Sequence, residues 1–393
     1  MNFIHSISTR LTPHLHVGSH SVSTFQVCGY TGFALAFIQS MLLATHLHRS
    51  RPTMIGITAI IVVTFFSLVM VTKVVRGREE IIYYHHEIAV VIAITLFLQL
   101  IGKPVLPYLD ITIMGIGLFL ACGRIGCLMA GCCHGRPWSW GVTYREEHAW
   151  AGFPYFLVGV PLFPIQAVEA VFALGLVIGG IHEMLAGCPP GTAFSLYILV
   201  YALGRFCFEF VRGDSIRVYG NGFSEAQWIS LAAATAEVCA EHAHLITYNR
   251  WHTAVPIFLL VLMILVKLQR RWFGNARFEL LHPQHVREIA MFTSTLTGSS
   301  DRASPPVLAS GALRETRTSR GLRVVFCTVS ENEQQMLHYS LSRDTDPLTR
   351  SSAKLLGKLL GLLNNAGRPM ASIPRMSGVF HFFFLPNPGA RRR

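Results

Sequence analysis

Charge is scarce in this sequence. Asp, Glu, Lys and Arg make up 14% of its 393 residues, against about a quarter in ordinary soluble domains. Acids are the scarcer sign, 21 against 33 Lys and Arg. That shortage argues against a water-soluble chain of this length. Also missing is an apolar stretch in "MNFIHSISTRLTPHLHVGSHS", so no cleaved leader is expected. The nine cysteines include no C-x-x-C pair, and several lie inside apolar runs. They read as buried reduced thiols rather than a secreted disulfide framework. No internal repeat is visible.

What is abundant is apolar. Hydrophobic residues are 51% of the chain, and they gather in runs near the ~20 residues that a bilayer core requires. Seven spans are predicted, at about 29–47, 54–73, 86–102, 105–123, 163–185, 191–211 and 252–268. The third and fourth are joined by "IGKPV" and the fifth and sixth by "AGCPPG", so each pair reads as a helical hairpin. The net charge of +12 sits largely beside spans and in the tail. It therefore points to the lipid bilayer and to orientation rather than to nucleic acid. The densest basic cluster, "KLQRRWFGNAR", follows the last span and predicts a cytoplasmic C-terminus.

After Phe278 the composition changes. Residues 279–320 are rich in Ser, Thr and Arg, a linker by composition. Beyond them, "GLRVVFCTVS" and "GVFHFFFLP" read as strands and "SSAKLLGKLLGLLNNAG" as an amphipathic helix. The expected architecture is an all-α integral membrane protein of about seven transmembrane helices. It comprises an N-terminal segment (1–24), a membrane domain (25–278), a linker (279–320) and a small C-terminal α/β or partly disordered cytoplasmic extension (321–393).

Three polar clusters interrupt the apolar pattern: "YYHHE" before span three, "GRIGCLMAGCCHGR" after span four and "YALGRFCFEFVRGD" ending span six. With seven spans all three fall at outward helix ends, which favours one shared site. Tyr201, Arg205, Glu209 and Arg212 recur at the spacing of a single helical stripe. Intramembrane arginine is costly and normally faces a polar cavity with a partner. Mutual neutralisation of Arg205 and Glu209 would explain that helix alone. Arg124, ending another helix at the same depth, adds a second guanidinium, and two such forks suit a phosphate. Gly123, Gly126, Gly131 and Gly135 would permit close backbone approach to a ligand, although helix packing uses glycine in the same way.

These motifs resemble the prolipoprotein diacylglyceryl transferase family, whose signature is Gly-Arg-x-Gly-Asn-x-x-Asn-Gly-Glu-x-x-Gly. Residues 123–135 keep its length, Arg124 and all four glycines. "FPIQAVEA" is similar to the family's Pro-x-Gln-Leu-Tyr-Glu and supplies Gln166 and Glu169. Tyr201, Arg205, Glu209 and Arg212 match its Tyr-Gly-x-x-Arg-Phe-x-x-Glu-Phe-x-Arg segment, "FSEAQWISL" its Gln-containing run, and Tyr30 an early tyrosine. The resemblance covers about residues 25–270. It implies a multi-pass protein of the bacterial cytoplasmic (inner) membrane, with its site near the outer leaflet. The implied reaction moves a diacylglyceryl group from phosphatidylglycerol to a cysteine thiol of a lipoprotein-precursor peptide, releasing glycerol phosphate. The implied catalytic set is Arg124, Arg205, His86, Tyr201 and Glu169. Tyr30, Gly123, Gly126, Gly131, Gly135, Arg136, Gln166, Glu209 and Arg212 would contact substrate. No cofactor and no metal are expected.

The chain departs from the family at three polar positions, where Cys127, Ala130 and Cys132 replace two asparagines and a glutamate. The family's His-Gly-Gly before span three is represented by His85-His86-Glu87, and His85 or His86 is the candidate base. The cysteines keep other readings open: a metal site built from Cys122, Cys127, Cys132, Cys133 and His134, a membrane thiol oxidoreductase, or a non-catalytic lipid-binding relative.

Overall fold

The computed structural model describes residues 8–18, 20–77, 83–215, 217–272, 276–296, 313–331, 334–343, 347–366, 369, 371–375 and 378–385. A short hairpin, β1 (His14–Val17) and β2 (His20–Ser23), leads into α1 (Thr24–His46), α2 (Arg51–Arg76), α3 (Tyr83–Leu100) and α4 (Val105–Ala130). A polar excursion follows, with β3 (Pro137–Val142) and α5 (Glu146–Trp150). The bundle resumes with α6 (Ile165–Leu185), α7 (Thr192–Phe208), the hairpin β4 (Tyr219–Gly220) and β5 (Phe223–Ser224), α8 (Glu225–His242) and α9 (Arg250–Trp272). Five of these helices, α1, α2, α4, α6 and α9, are long and apolar enough to cross a membrane, while α3 and α7 are shorter apolar helices.

Helix α4 is the axis of the bundle. It packs along α1 and α6, and small residues set the spacing: a Cβ on Gly32 would lie 2.7 Å from the Cys122 Cβ, and one on Gly126 3.0 Å from the Cys28 Cβ. Close backbone approach through glycine is the usual solution where lipid supplies no hydrophobic drive between helices. At the far end of α4, the buried Asp110 caps α7 by accepting from the N–H groups of Gly191 (2.7 Å) and Phe194 (2.8 Å). A carboxylate there satisfies donors that begin a helix and complements its dipole.

Helix α8 was not expected. Its sequence, "EAQWISLAAATAEVCAEH", is alanine-rich and carries three carboxylates, so it lacks the hydropathy of a span. It nevertheless packs against α7, because its acids find partners: Glu237 meets Ser195 and Glu241 meets His252. Ser224 and Gln227 cap its start reciprocally, and Gln227 Nε2 donates to the Phe206 carbonyl (3.3 Å), tying it to the end of α7.

This extra helix changes the chain's parity. α7, α8 and α9 form an antiparallel meander, and α9 finishes where Arg270 donates to the Gly222 carbonyl (2.6 Å). The C-terminal end of α9 therefore lies at the same end of the bundle as Arg124 and Arg205. The expected arrangement, with the C-terminus and the site on opposite faces, is corrected on this point.

Beyond α9 the segment expected as linker is partly helical, with α10 (Ala276–Leu280) and α11 (Pro283–Leu296). Residues 297–312 of that predicted linker lie outside the described residues, as do the last eight residues of the chain. The C-terminal part is an antiparallel sheet in the order β6-β7-β8-β10-β9, formed by β6 (Arg314–Arg317), β7 (Leu322–Glu331), β8 (Gln334–Arg343), β9 (Ala371–Arg375) and β10 (Val379–Phe384). One face, with Val324, Phe326, Tyr339, Leu341, Phe380 and Phe382, buries against Leu356, Leu359 and Leu360 of α12 (Arg350–Leu363). This module docks on the polar excursion of the bundle. Asn365 donates to the Gly159 carbonyl (3.1 Å), Arg287 lies over the Phe156 ring, and Ala290 joins an apolar cluster with Tyr144, Phe153 and Leu162.

That docking makes a topological prediction. In sealed membrane vesicles, protease sites engineered into the 146–152 segment and into the β7–β8 turn should be cut from the same side. Cutting from opposite sides would refute the antiparallel placement of α8.

Candidate functional site

Four arginines converge where α4 and α7 end and α6 begins. Glu169, in the first turn and a half of α6, is the hub. Its carboxylate meets Arg124 Nε at 2.6 Å, Arg212 NH1 at 2.7 Å and Arg205 NH1 at 3.5 Å. Glu209, the C-cap of α7, meets Arg205 and Arg217 through NH1 at 2.5 Å each. Asp214 accepts from Arg212 Nε (3.1 Å) and Arg217 Nε (2.7 Å). Arg124, Arg205, Arg212, Glu169 and Glu209 are all buried. Within this ion-paired cluster of described residues four guanidiniums face three carboxylates, with the Cys133 thiol beside Arg124 and Arg212.

The backbone holds the cluster in place by lacing two loops together. Gly213 N–H donates to the His134 carbonyl (3.0 Å) and Arg136 N–H to the Val211 carbonyl (3.0 Å), while Phe163 N–H donates to the Arg136 carbonyl (2.9 Å). Gly135 sits inside this lacing, where a Cβ would collide with the Phe163 carbonyl. Gly131 takes φ 83°, the left-handed conformation that ends α4. Arg136 Nε donates to the Arg212 carbonyl (3.2 Å), so it braces the loop that carries Arg212. Burial alone would raise Asp214, but the guanidiniums of Arg212 and Arg217 hold it well below the usual carboxylate range.

The predicted residues are mostly brought together. Tyr201 is buried, stacked on Tyr197 at 5.5 Å and edge-on to Tyr84 at 6.0 Å. Tyr84 in turn hydrogen-bonds Ser230 (2.8 Å), which joins the "YYHHE" cluster to the arginine end of the bundle. His86 is buried with its ring 4.9 Å from Phe65, whereas His85 is exposed and pairs with Glu225 (3.1 Å). Gln166 Nε2 donates to the Cys132 carbonyl (2.8 Å). A Cβ on Gly123 would meet nothing within 4 Å, while Gly126 packs on α1. Tyr30 is not part of the group: it is 74% exposed on α1.

Sequence reasoning missed Asp214 and Arg217, which complete the network. Their signal was present in "VRGDSIR", where an acid lies between two arginines, but helical periodicity stops at Glu209 and gives no contact rule for the loop beyond. The cysteines also gather differently from expectation. Cys127, Cys132 and Cys133 bring their sulfurs within 4.8 Å of one another, whereas Cys122 and His134 are outside that group. Cys133 lies beside the arginines. Sulfur hydrogen bonds from Cys127 and Cys132, reinforced by the charges of Arg212 and Arg124, hold its thiol well below the usual value despite burial.

The family model for prolipoprotein diacylglyceryl transferase matches residues 14–240. The chain belongs to this family. Curated members similar to it include the phosphatidylglycerol–prolipoprotein diacylglyceryl transferase of Clostridium tetani, 32% identical over 36% of this chain and 54% of the relative. The second enzyme of that name from Clostridium perfringens is 33% identical over 32% of this chain and 48% of the relative. The Dehalococcoides mccartyi protein is 35% identical over 31% and 45% respectively. The chain thus spans about half the length of the curated relatives it matches. The transferase match includes the entire arginine–carboxylate network and stops short of α9 and the C-terminal sheet.

Two stability tests follow from the network. Glu169→Ala takes from buried Arg124 its carboxylate partner and from Arg205 and Arg212 one of theirs, and should destabilise the solubilised protein by about 3–5 kcal/mol, the usual cost of removing one partner from a buried ion pair. A melting temperature unchanged from wild type would show that Glu169 is not the hub. For Asp214, a depressed folded-state pKa means that its contribution is present at neutral pH and is lost as pH falls through that depressed value. Asp214→Asn should therefore destabilise at pH 7, and its deficit relative to wild type should shrink below about pH 4, the ordinary carboxylate range. A deficit that widens in acid would reverse the assignment.

Proposed function

We propose that this protein transfers a diacylglyceryl group from phosphatidylglycerol to the cysteine thiol of a lipoprotein precursor. The supporting observation is the convergence of four guanidiniums at one end of the bundle, Arg124, Arg205, Arg212 and Arg217, held there by Glu169, Glu209 and Asp214. Guanidinium forks gathered at one buried place are the complement of a phosphodiester's oxygens. The names of the similar relatives carry the same substrate pair.

In the reaction, the thiol sulfur forms a bond to the terminal glyceryl carbon of the diacylglyceryl group. The bond from that carbon to the phosphate oxygen breaks, and the electron pair leaves with glycerol phosphate. Negative charge grows on the departing phosphate, so the guanidinium donors gain strength as the bond lengthens. Glu169 orients three of these donors before substrate arrives, which saves reorganisation in the transition state. The thiol proton passes to a base, for which His86 is the candidate, buried at the start of α3 beside Glu87. Tyr201, stacked in the same end of the bundle, contributes a wall to the acceptor space.

The site faces the outer leaflet in this reading, where precursor cysteines emerge. The C-terminal sheet, at the same end of the bundle, would then stand outside with it. The basic run "KLQRRW" at the end of α9 would meet anionic headgroups on that side.

Arginine chemistry makes the reading testable. Arg124→Lys keeps the charge but loses the fork that engages a carboxylate or phosphate, so it should fail nearly as badly as Arg124→Ala. Each should lower diacylglyceryl transfer to a synthetic precursor peptide by roughly 30- to 1,000-fold, the worth of about 2–4 kcal/mol. Near wild-type turnover by Arg124→Lys would sink the phosphate-clamp mechanism.

A further inference from the structure

The cysteine turn has no task in the chemistry above, yet it is built with care. Gly131 N–H donates back to the Cys127 carbonyl (2.9 Å) and reverses the chain at the end of α4. Gln166 fixes the Cys132 carbonyl from α6 and also reaches the Tyr144 hydroxyl (3.4 Å), whose O–H donates to the Leu128 carbonyl (3.1 Å). Cys133 takes φ 54°, in the left-handed region that non-glycine residues enter at a cost of about 1–2 kcal/mol. This turn brings the three sulfurs to one locus, all within 4.8 Å of each other. A triangle of that side has its centre at most about 2.8 Å from each corner, so contraction of about 0.5 Å would reach the ~2.3 Å Zn–S bond length.

We propose that Cys127, Cys132 and Cys133 form a three-thiolate binding site for a soft metal ion, Zn²⁺ being the ion whose bond lengths fit the spacing. A disulfide fits this turn less well. Neighbouring residues have Cα atoms about 3.8 Å apart, below the roughly 4.4 Å minimum usual for a disulfide, so Cys132 and Cys133 are poor partners. Any pairing with Cys127 would leave a third sulfur at the same point unused. Three thiolates around Zn²⁺ carry one net negative charge, and the guanidiniums of Arg124 and Arg212 act on Cys133 from beside it. Binding releases to solvent whatever protons the three thiols still carry, and the fourth coordination position is left to water or an anion. Cys132 is exposed and gives the ion a way in. The two other donors of this stretch are engaged elsewhere: His134 Nδ1 with the Gly135 carbonyl (2.9 Å), and Cys122 in the α1–α4 seam against Gly32.

The test is metal content, so it is separable from lipid transfer. The full-length protein, purified in detergent, reduced and desalted after exposure to Zn²⁺, should retain one zinc per chain. Exposure to Cd²⁺ should produce a sulfur-to-metal charge-transfer band, and Zn²⁺ should shield three thiols of the unaltered chain from maleimide. Cys132→Ser and Cys133→Ser should each abolish stoichiometric binding, while Cys327→Ser, in the C-terminal sheet, should retain it. Maleimide shielding in the unaltered chain keeps the answer available if a serine variant fails to fold. The proposal is overturned by zinc well below one equivalent, by retention of zinc in Cys133→Ser, or by loss of two of the three thiols to a disulfide in air.

Discussion

Glu169 is the point on which the site end of the molecule turns. Its two oxygens answer guanidiniums from three separate places: the end of α4, the last turns of α7 and the loop beyond. Each of those arginines is buried, and each would be expensive to leave alone at that depth. One carboxylate shared among three charges cannot neutralise them, so Glu209 and Asp214 are recruited from the same loop. The network is thus a geometric specification as much as a source of stability, because it brings the ends of α4 and α7 and the start of α6 to one level.

The site was legible in the sequence wherever helix geometry carries a contact rule. Arg205 and Glu209, four apart, do pair (2.5 Å), and Arg124 does reach the same locus. Glu169 and Gln166 came from resemblance to a family motif, since nothing in an apolar run predicts which neighbour its acid will meet. Asp214 and Arg217 were hidden because loop contacts have no periodicity. Tyr30 was suggested by position in the chain, yet it lies on an exposed stripe of α1.

The fold was legible in proportion to hydropathy. All seven predicted spans correspond to helices, and their ends moved by a few residues. α8 was invisible because its alanines are weakly apolar and its acids suggested a loop, whereas those acids are paired inside the bundle. In the C-terminal module, the apolar strands β7 and β10 and the helix α12 were readable. Strand β8, "QQMLHYSLSR", was missed although its inward Tyr339 and Leu341 alternate with polar residues, the pattern of a half-buried strand. It is the hairpin neighbour of β7, while its pairing with β10 comes from a distant part of the chain that no local pattern records.

The antiparallel return of α8 also divides the protein's mass very unevenly. At the end of the bundle opposite the arginines, the connections between its helices are short: residues 47–50, 101–104, 186–191 and 243–249. The polar excursion, the hairpins and the C-terminal sheet lie at the other. The short connections join the eight bundle helices as four antiparallel hairpins that all open towards the arginines, so the network and the C-terminal sheet share one end of the bundle.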